Sequence, residues 1–422
     1  MKVPEDGEKE GVCRRMAELF QVNEARDRAF PRPRIPIKPV LTSPVRSEGD
    51  RAFPSILSAG KYRLVTSGRV AIAHALQLSG VGPGDAVLVS AYHCSSMIEP
   101  ILWVGAEPVY YRIREDTSAD IEDLESTMAG NVRALLIPHF FGFPQPEMDR
   151  LRTWCGERGV VLIEDCAHAF FGMCNGSILG SWGDYAIGSP MKFFPVIDGG
   201  VLTSSRHSLD AVRLEPGGLS FQLKSVINSV EAARSYGRLQ SVGWLVGAAI
   251  GVKDRVWSLM KRGARKRGEG RGAAVPLASE GGYDFDPRWM HTSISEFSRR
   301  MILGSDFRSI AESRRANYRL LVSRLSLLSG VTPIRENLED EAVPYVCPMK
   351  FDRPEPAFTR MKEAGVPIVR FGEYLARDVT EEVCPVSVSY SRSVMQFPCH
   401  QALTEAEMEW MINTITSIVE GS

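Results

Sequence analysis

The sequence predicts an α/β protein, a mostly parallel sheet sandwiched by helices with a smaller α+β domain at its C-terminal end. Short apolar runs alternate with helix-period patterns between residues 66 and 163. A length of 422 residues allows two domains with a substantial core. Hydrophobic content of 44% and charged content of 24% are ordinary for a globular protein.

The elements follow in order. Residues 1–55 are charged and proline-rich (Pro31, Pro33, Pro36, Pro39, Pro44), which predicts a helix followed by an extended arm. A large domain is expected over 56–285. Its first helix runs from Thr66-Ser67-Gly68 through Val70, Ala73 and Leu76 and stops at Gly80-Val81-Gly82-Pro83-Gly84. Strands are expected at 86–89, 108–111, 134–137 and 160–163, with helices around Met97–Leu102 and Glu147–Arg158 between them. Such alternation favours a parallel sheet, whose ligands bind beyond the carboxyl ends of the strands. A helical and basic insertion occupies about 206–285, and 286–422 forms the small domain, ending in a helix near Glu405–Ile418.

A net charge of −1 gives no field that points to nucleic acid. The eight cysteines are scattered with no C-x-x-C pair, so reduced thiols in the cytoplasm are expected, with no disulfide framework and no metal site. The N-terminus lacks the apolar core of a signal peptide, and no uncharged apolar run is long enough to span a membrane.

Two residues suggest the chemistry. The buried-strand pattern Val160-Val161-Leu162-Ile163 ends in Glu164-Asp165, and Lys192 follows 27 residues later in Ser189-Pro190-Met191-Lys192-Phe193-Phe194-Pro195, ahead of Asp198-Gly199-Gly200. A carboxylate at a strand end and a lysine among aromatic rings suit pyridoxal 5′-phosphate (PLP). The lysine can form a Schiff base with the aldehyde, and the aspartate can keep the pyridine nitrogen protonated. A surface lysine and a helix-capping aspartate are the plain alternatives. His168, about one turn after Asp165, is placed to hydrogen-bond the phenolic oxygen of the cofactor. Ser67-Gly68-Arg69 opens a helix whose free N–H groups favour a phosphate, and Ser189 is a second phosphate candidate.

The set Ser67-Gly68-Arg69-Val70-Ala71-Ile72, Gly82-Pro83-Gly84-Asp85, Gly105-Ala106-Glu107-Pro108-Val109, Ile163-Glu164-Asp165, Gly180-Ser181-Trp182-Gly183-Asp184 and Lys192 through Gly200 resembles the DegT/StrS-type aminotransferases. These are PLP enzymes of fold type I, with a seven-stranded-type sheet, and they act mostly on nucleotide-linked keto sugars. The resemblance is close over about 60–205. It is fainter at Ser293–Met301, Arg314-Arg315-Ala316-Asn317 and Phe397-Pro398-Cys399-His400. It implies that Lys192 is the Schiff-base lysine and Asp165 the partner of the ring nitrogen. It also implies that Gly68 and Arg69 bind phosphate through their backbone and Ser189 through its hydroxyl. It further implies a homodimer with shared active sites, in which His291 stands near the asparagine that reaches the neighbouring subunit's cofactor.

The chain departs from the family at several points. Histidine stands at 168 where glutamine is usual. The aromatic residue normally stacked on the ring is missing near Cys94, leaving Tyr92 or His93 for that role. The histidine-tyrosine pattern near Tyr345 is also absent. The expected function is transfer of an amino group from glutamate or glutamine to a small keto acceptor, a nucleotide-linked keto sugar for cell-surface polysaccharide or secondary metabolites. Two other readings stay open: PLP-dependent sugar dehydration or another elimination, and a non-catalytic PLP-binding protein at a membrane. The second draws on residues 253–271, where eight basic residues stand against Asp254 and Glu269 for a net +6. That tract suits an anionic membrane surface or a solvated glycine-rich loop.

Overall fold

The computed structural model describes residues 16, 19–20, 30–42, 52–239 and 285–421. The basic tract 253–271 and the helical pattern beyond Leu239 lie outside the described residues.

The strands are β1 (Lys61–Val65), β2 (Ala86–Ser90), β3 (Glu107–Tyr111), β4 (Val132–Pro138) and β5 (Val161–Cys166). A two-stranded hairpin of β6 (Met173–Cys174) and β7 (Ser177–Ile178) follows, and then β8 (Tyr185–Gly188) and β9 (Gly200–Ser204). Seven of them make one sheet in the order β1-β9-β8-β5-β4-β2-β3. The β2–β3, β2–β4, β4–β5 and β5–β8 pairs are parallel, and only β9 runs against its neighbours. This is the mostly parallel sheet expected. Its central strands read as unbroken apolar runs because both faces are covered: Leu88, Val89, Leu135, Leu162 and Ile163 have no solvent exposure.

The covering helices are α1 (Gly68–Leu78), α2 (Ser95–Trp103), α3 (Ile121–Thr127), α4 (Met148–Arg158) and α5 (Leu219–Arg234). They are followed by α6 (Glu296–Leu303) and α7 (Phe307–Leu325). A second, antiparallel sheet then holds β10 (Val331–Pro333), β11 (Val346–Phe351) and β12 (Val394–Pro398), with α8 (Pro354–Glu363), α9 (Pro385–Ser393) and α10 (Glu405–Glu420) around it. This is the expected α+β region.

Arg314 ties the two sheets together. Arg314, on α7, has no exposed surface and donates to the carbonyls of Lys192 (2.9 Å), Tyr345 (3.0 Å) and Pro344 (3.3 Å) and to Gln401 Oε1 (3.1 Å). Its charge is taken up by carbonyl dipoles, and its flat guanidinium lies over Phe193, 4.5 Å from the ring centre. Burial lowers its pKa to about 10, which leaves it charged at neutral pH. Asp198 makes a second tie. It is fully buried and accepts from the hydroxyls of Ser225 (2.6 Å), Ser298 (2.6 Å) and Ser295 (2.9 Å) and from Ser295 N (2.8 Å). The loop after Lys192 is thereby fastened to α5 and α6.

Residues 30–42 lie against the C-terminal region. Arg34 N donates to Gly365 O (2.8 Å), His400 Nε2 is 3.0 Å from Pro36 O, and Arg34 stacks on Trp410. All seven described cysteines are free. Among the described residues no helix is long and apolar enough to cross a membrane.

Candidate active site

One pocket opens at the carboxyl ends of β4 and β5, and its walls include Ser67, Gly68, Arg69, Cys94, Asp165, His168, Ser189 and Lys192. Eight of the eleven site residues expected from sequence therefore meet in one place. Tyr92, His93 and His291 do not line it.

Asp165 reaches the pocket because β5 ends there, level with Pro138 of β4. One carboxylate oxygen, Oδ1, accepts from Ala167 N at 2.8 Å. The other has no hydrogen bond among the described residues. Burial pushes the Asp165 pKa up, against the pull of the Ala167 hydrogen bond and of Lys192. A buried carboxylate with a free oxygen is costly until a donor arrives. A protonated ring nitrogen is such a donor.

Lys192 closes the short 3-10 turn Pro190–Lys192. Burial lowers its pKa, while the nearby Cys94 and Asp165 oppose the change. A more easily neutralised amine is the form that attacks an aldehyde. Its Nζ stands 5.5 Å from the centre of the Tyr345 ring.

The phosphate candidates are neighbours. A Cβ built on Gly68 would come within 3.8 Å of both Ser189 Cβ and Gly188 O. Ser67 caps α1 by accepting from Val70 N (3.3 Å), and the first turn of α1 at Gly68 and Arg69 lines the pocket. The side chain of Arg69 pairs with the fully buried Glu99 (Nε to Oε2, 2.8 Å), which leaves only its backbone for the phosphate role expected of it. The glycine pair makes this cradle possible. A Cβ on Gly200 would sit 2.1 Å from Ser67 O and 2.9 Å from Gly68 N, all backbone atoms. Gly200→Ala is therefore expected to displace the cradle and weaken PLP binding by about tenfold or more, since overpacking typically costs ~1–3 kcal/mol. A spectroscopic titration checks this, and a dissociation constant within twofold of wild type contradicts it.

His168 is held in its neutral form, its pKa far below the ordinary value through burial, with Lys192 adding to the shift. Its Nδ1 accepts from Phe141 N at 3.4 Å, which assigns the proton to Nε2. Phe141 adopts φ 60°, a left-handed conformation costly for a non-glycine residue. The ring of His168 stacks on Tyr345, with centroids 4.8 Å apart.

The three remaining positions have other surroundings. Tyr92 is fully buried among Phe140, Phe371 and Tyr390. His93 is fully buried too, stacked on Tyr110 and 3.1 Å from Ala376 N, and burial lowers its pKa to about 4. The thiol-bearing Cys94 is the member of this trio on the pocket wall. His291 lies exposed in the loop before α6, where its carbonyl accepts from Glu215 N. The sequence reading missed Lys38, His139, Phe140 and Phe371, which also line the pocket. Only their fold-level neighbours reveal them, because each is distant in sequence from Lys192.

His139, Glu164 and Cys166 bring their donor atoms within 4.8 Å of one another. Glu164 is already engaged by Gly180 N (3.0 Å), Gly183 N (2.7 Å) and His139 Nε2 (3.1 Å), which reads as a clasp on the 180–183 turn.

Residues 50–215 match the DegT/DnrJ/EryC1/StrS aminotransferase family. The chain is 31% identical over 143 residues to GDP-perosamine synthase of Vibrio cholerae, covering 34% of this chain and 38% of that protein. It is also 31% identical over 151 residues to a UDP-N-acetyl-3-dehydro-α-D-glucosamine 3-aminotransferase of Acidithiobacillus ferrooxidans, covering 34% and 40%. The chain thus aligns with about two fifths of the length of these relatives. In structure it superposes on an aminotransferase of Streptoalloteichus hindustanus with a TM-score of 0.57 at 18% identity, covering 85% of this chain and 86% of the other. That likeness extends the shared fold well beyond the aligned sequence. Residues 50–215, the stretch matched by the DegT/DnrJ/EryC1/StrS aminotransferase family, carry Ser67, Asp165, His168, Ser189 and Lys192.

Proposed function

We propose that the protein is a PLP-dependent aminotransferase that passes an amino group from glutamate or glutamine to a nucleotide-linked keto sugar. One observation carries this reading: the Lys192 amine, the Asp165 carboxylate and the open N-terminus of α1 line one pocket within the family-matched stretch. The free oxygen of Asp165, the first turn of α1 beside Ser189 and the proton on His168 Nε2 fit the ring nitrogen, phosphate and phenolic oxygen of PLP respectively. Bound there, PLP supplies an electron-withdrawing ring that stabilises negative charge on the carbon beside the substrate nitrogen.

The chain's residues do the rest. Asp165 accepts the ring N–H and keeps the ring protonated. His168, neutral, donates from Nε2 and stays uncharged through the working pH range. Lys192 anchors the cofactor and, once released by the donor, takes the proton from the donor carbon that bears nitrogen. In the second half-reaction it returns a proton to the acceptor carbon that receives the amine. The apolar rings of Phe140 and Phe371 on the pocket wall limit water at the reacting centre.

We read the working unit as a cytoplasmic homodimer with shared sites. The exposed stripe of Leu219, Leu223 and Val226 on α5 supports a subunit contact, and the reduced cysteines support the compartment. The test is incubation of PLP-loaded protein with ¹⁵N-glutamate or ¹⁵N-amide glutamine and a panel of nucleotide-linked keto sugars, followed by mass analysis. Label in a sugar product is expected. Loss of water from the sugar with no label gained overturns the reading.

A further inference from the structure

The groups assigned above account for cofactor binding and leave one cationic side chain on the pocket wall without a task. Lys38 enters the same cavity from the N-terminal arm. It makes no hydrogen bond or ion pair among the described residues. The other two cations on the wall are engaged: Arg69 with Glu99, and Lys192 with the proposed cofactor.

The arm that carries Lys38 is built to hold it there. Pro31, Pro33, Pro36 and Pro39 restrict φ through residues 31–39, which lowers the entropy lost on ordering. The arm is pinned at both sides of Lys38. Arg34 N bonds Gly365 O, His400 Nε2 meets Pro36 O, and Val40 packs with Ala233 and Ala402. Gly365 belongs to the same segment as Phe371, another pocket wall. Lys38 therefore arrives on a strap fixed to the C-terminal region, whereas the phosphate cradle is made from α1 and the Ser189 turn.

Its electrostatic state agrees with an unfilled role. Lys38 is solvent-exposed, yet protein packed around its side chain lowers its pKa to about 8 by desolvation, with Lys192 and then Arg69 adding repulsion. Placing a cation beside two others is unfavourable unless an anion joins them.

Resting on the aminotransferase reading, we propose that Lys38 is the residue that grips an oxyanion of the substrate, a carboxylate or a phosphate, and orients it against Lys192. An amino-acid donor brings a carboxylate, and a nucleotide-linked acceptor brings a diphosphate. A lysine presents a point charge to either.

Calorimetric titration of the PLP-loaded full chain separates these sources, with glutarate as a non-reacting dicarboxylate and inorganic pyrophosphate as the diphosphate probe. Lys38→Ala is expected to weaken at least one probe by about tenfold or more, as for loss of a charge-assisted contact. Lys38→Arg keeps that affinity within about threefold of wild type, and PLP affinity stays within about threefold in both variants. A loss confined to glutarate assigns Lys38 to the donor carboxylate, and a loss confined to pyrophosphate assigns it to the acceptor. Unchanged affinity for both probes, absence of binding to wild type, or a fall in PLP affinity matching the loss of the probe overturns the proposal. These readouts do not require turnover, so failure of wild type to transfer labelled nitrogen strikes the functional reading separately.

Discussion

Lys192→Ala is expected to lower turnover by at least about 10⁴-fold, the upper end of what a positioned proton-transfer group contributes. On the proposed role of Lys192 the same change also removes the covalent link to the cofactor, so the loss has two parts. PLP should still enter the pocket, because the α1 N-terminus, Ser189 and Asp165 are untouched. The variant is therefore expected to bind PLP with the absorbance of the free aldehyde, and an added small amine should restore part of the activity. Steady-state rates with and without that amine check this. Turnover within tenfold of wild type would remove Lys192 from the chemistry.

Asp165→Asn gives the second large effect, with opposite signs in activity and stability. Hydrogen bonds to charged groups are worth ~1.5–3 kcal/mol. Losing the carboxylate opposite the ring nitrogen is thus expected to cost about 10²-fold in turnover, and PLP is held more weakly. In the cofactor-free protein the carboxylate is a burden. Its folded pKa lies above the ordinary carboxylate value through burial. A group with a raised folded pKa binds its proton more tightly in the native state. Its favourable contribution is complete below the unfolded pKa near 4 and is lost as pH rises through the folded value. At pH 7, above the unfolded value, the burden is present. Cofactor-free Asp165→Asn should therefore melt at or above the wild-type temperature at pH 7, and the difference should shrink on acidification towards pH 4. Melting curves over that range decide it, and a clearly lower Tm at pH 7 contradicts the assignment. Such a residue, costly to the fold until the cofactor arrives, is what a functional site leaves behind.

The sheet's middle was legible because its strands are short, apolar and bounded by turns. Strands β2 to β5 fall where Ala86–Val89, Pro108–Tyr111, Ala134–Ile137 and Val160–Ile163 place them. The edge strand β1 was not legible, since Lys61-Tyr62-Arg63 carries no apolar run, and the four-residue β8 lies among turn residues. Asp165, Ser67, Ser189 and Lys192 could be read because each sits at the end of a local motif. Choosing among Tyr92, His93 and Cys94 failed for a physical reason. β2 is buried on both faces, so it has no polar alternation to show which of the next residues turns towards a ligand. Lys38, Phe371 and Arg314 reach Lys192 through tertiary packing over separations of more than a hundred residues, and no local pattern encodes that.

The central claim is that Lys192 holds PLP covalently in a pocket shared with Asp165. Borohydride reduction of the PLP-loaded protein, followed by peptide mass mapping, tests it most directly. The expected result is one pyridoxyl phosphate per chain, on Lys192, and none after Lys192→Ala. Attachment at Lys38 or another lysine, or no stable adduct on the wild-type chain, would contradict it.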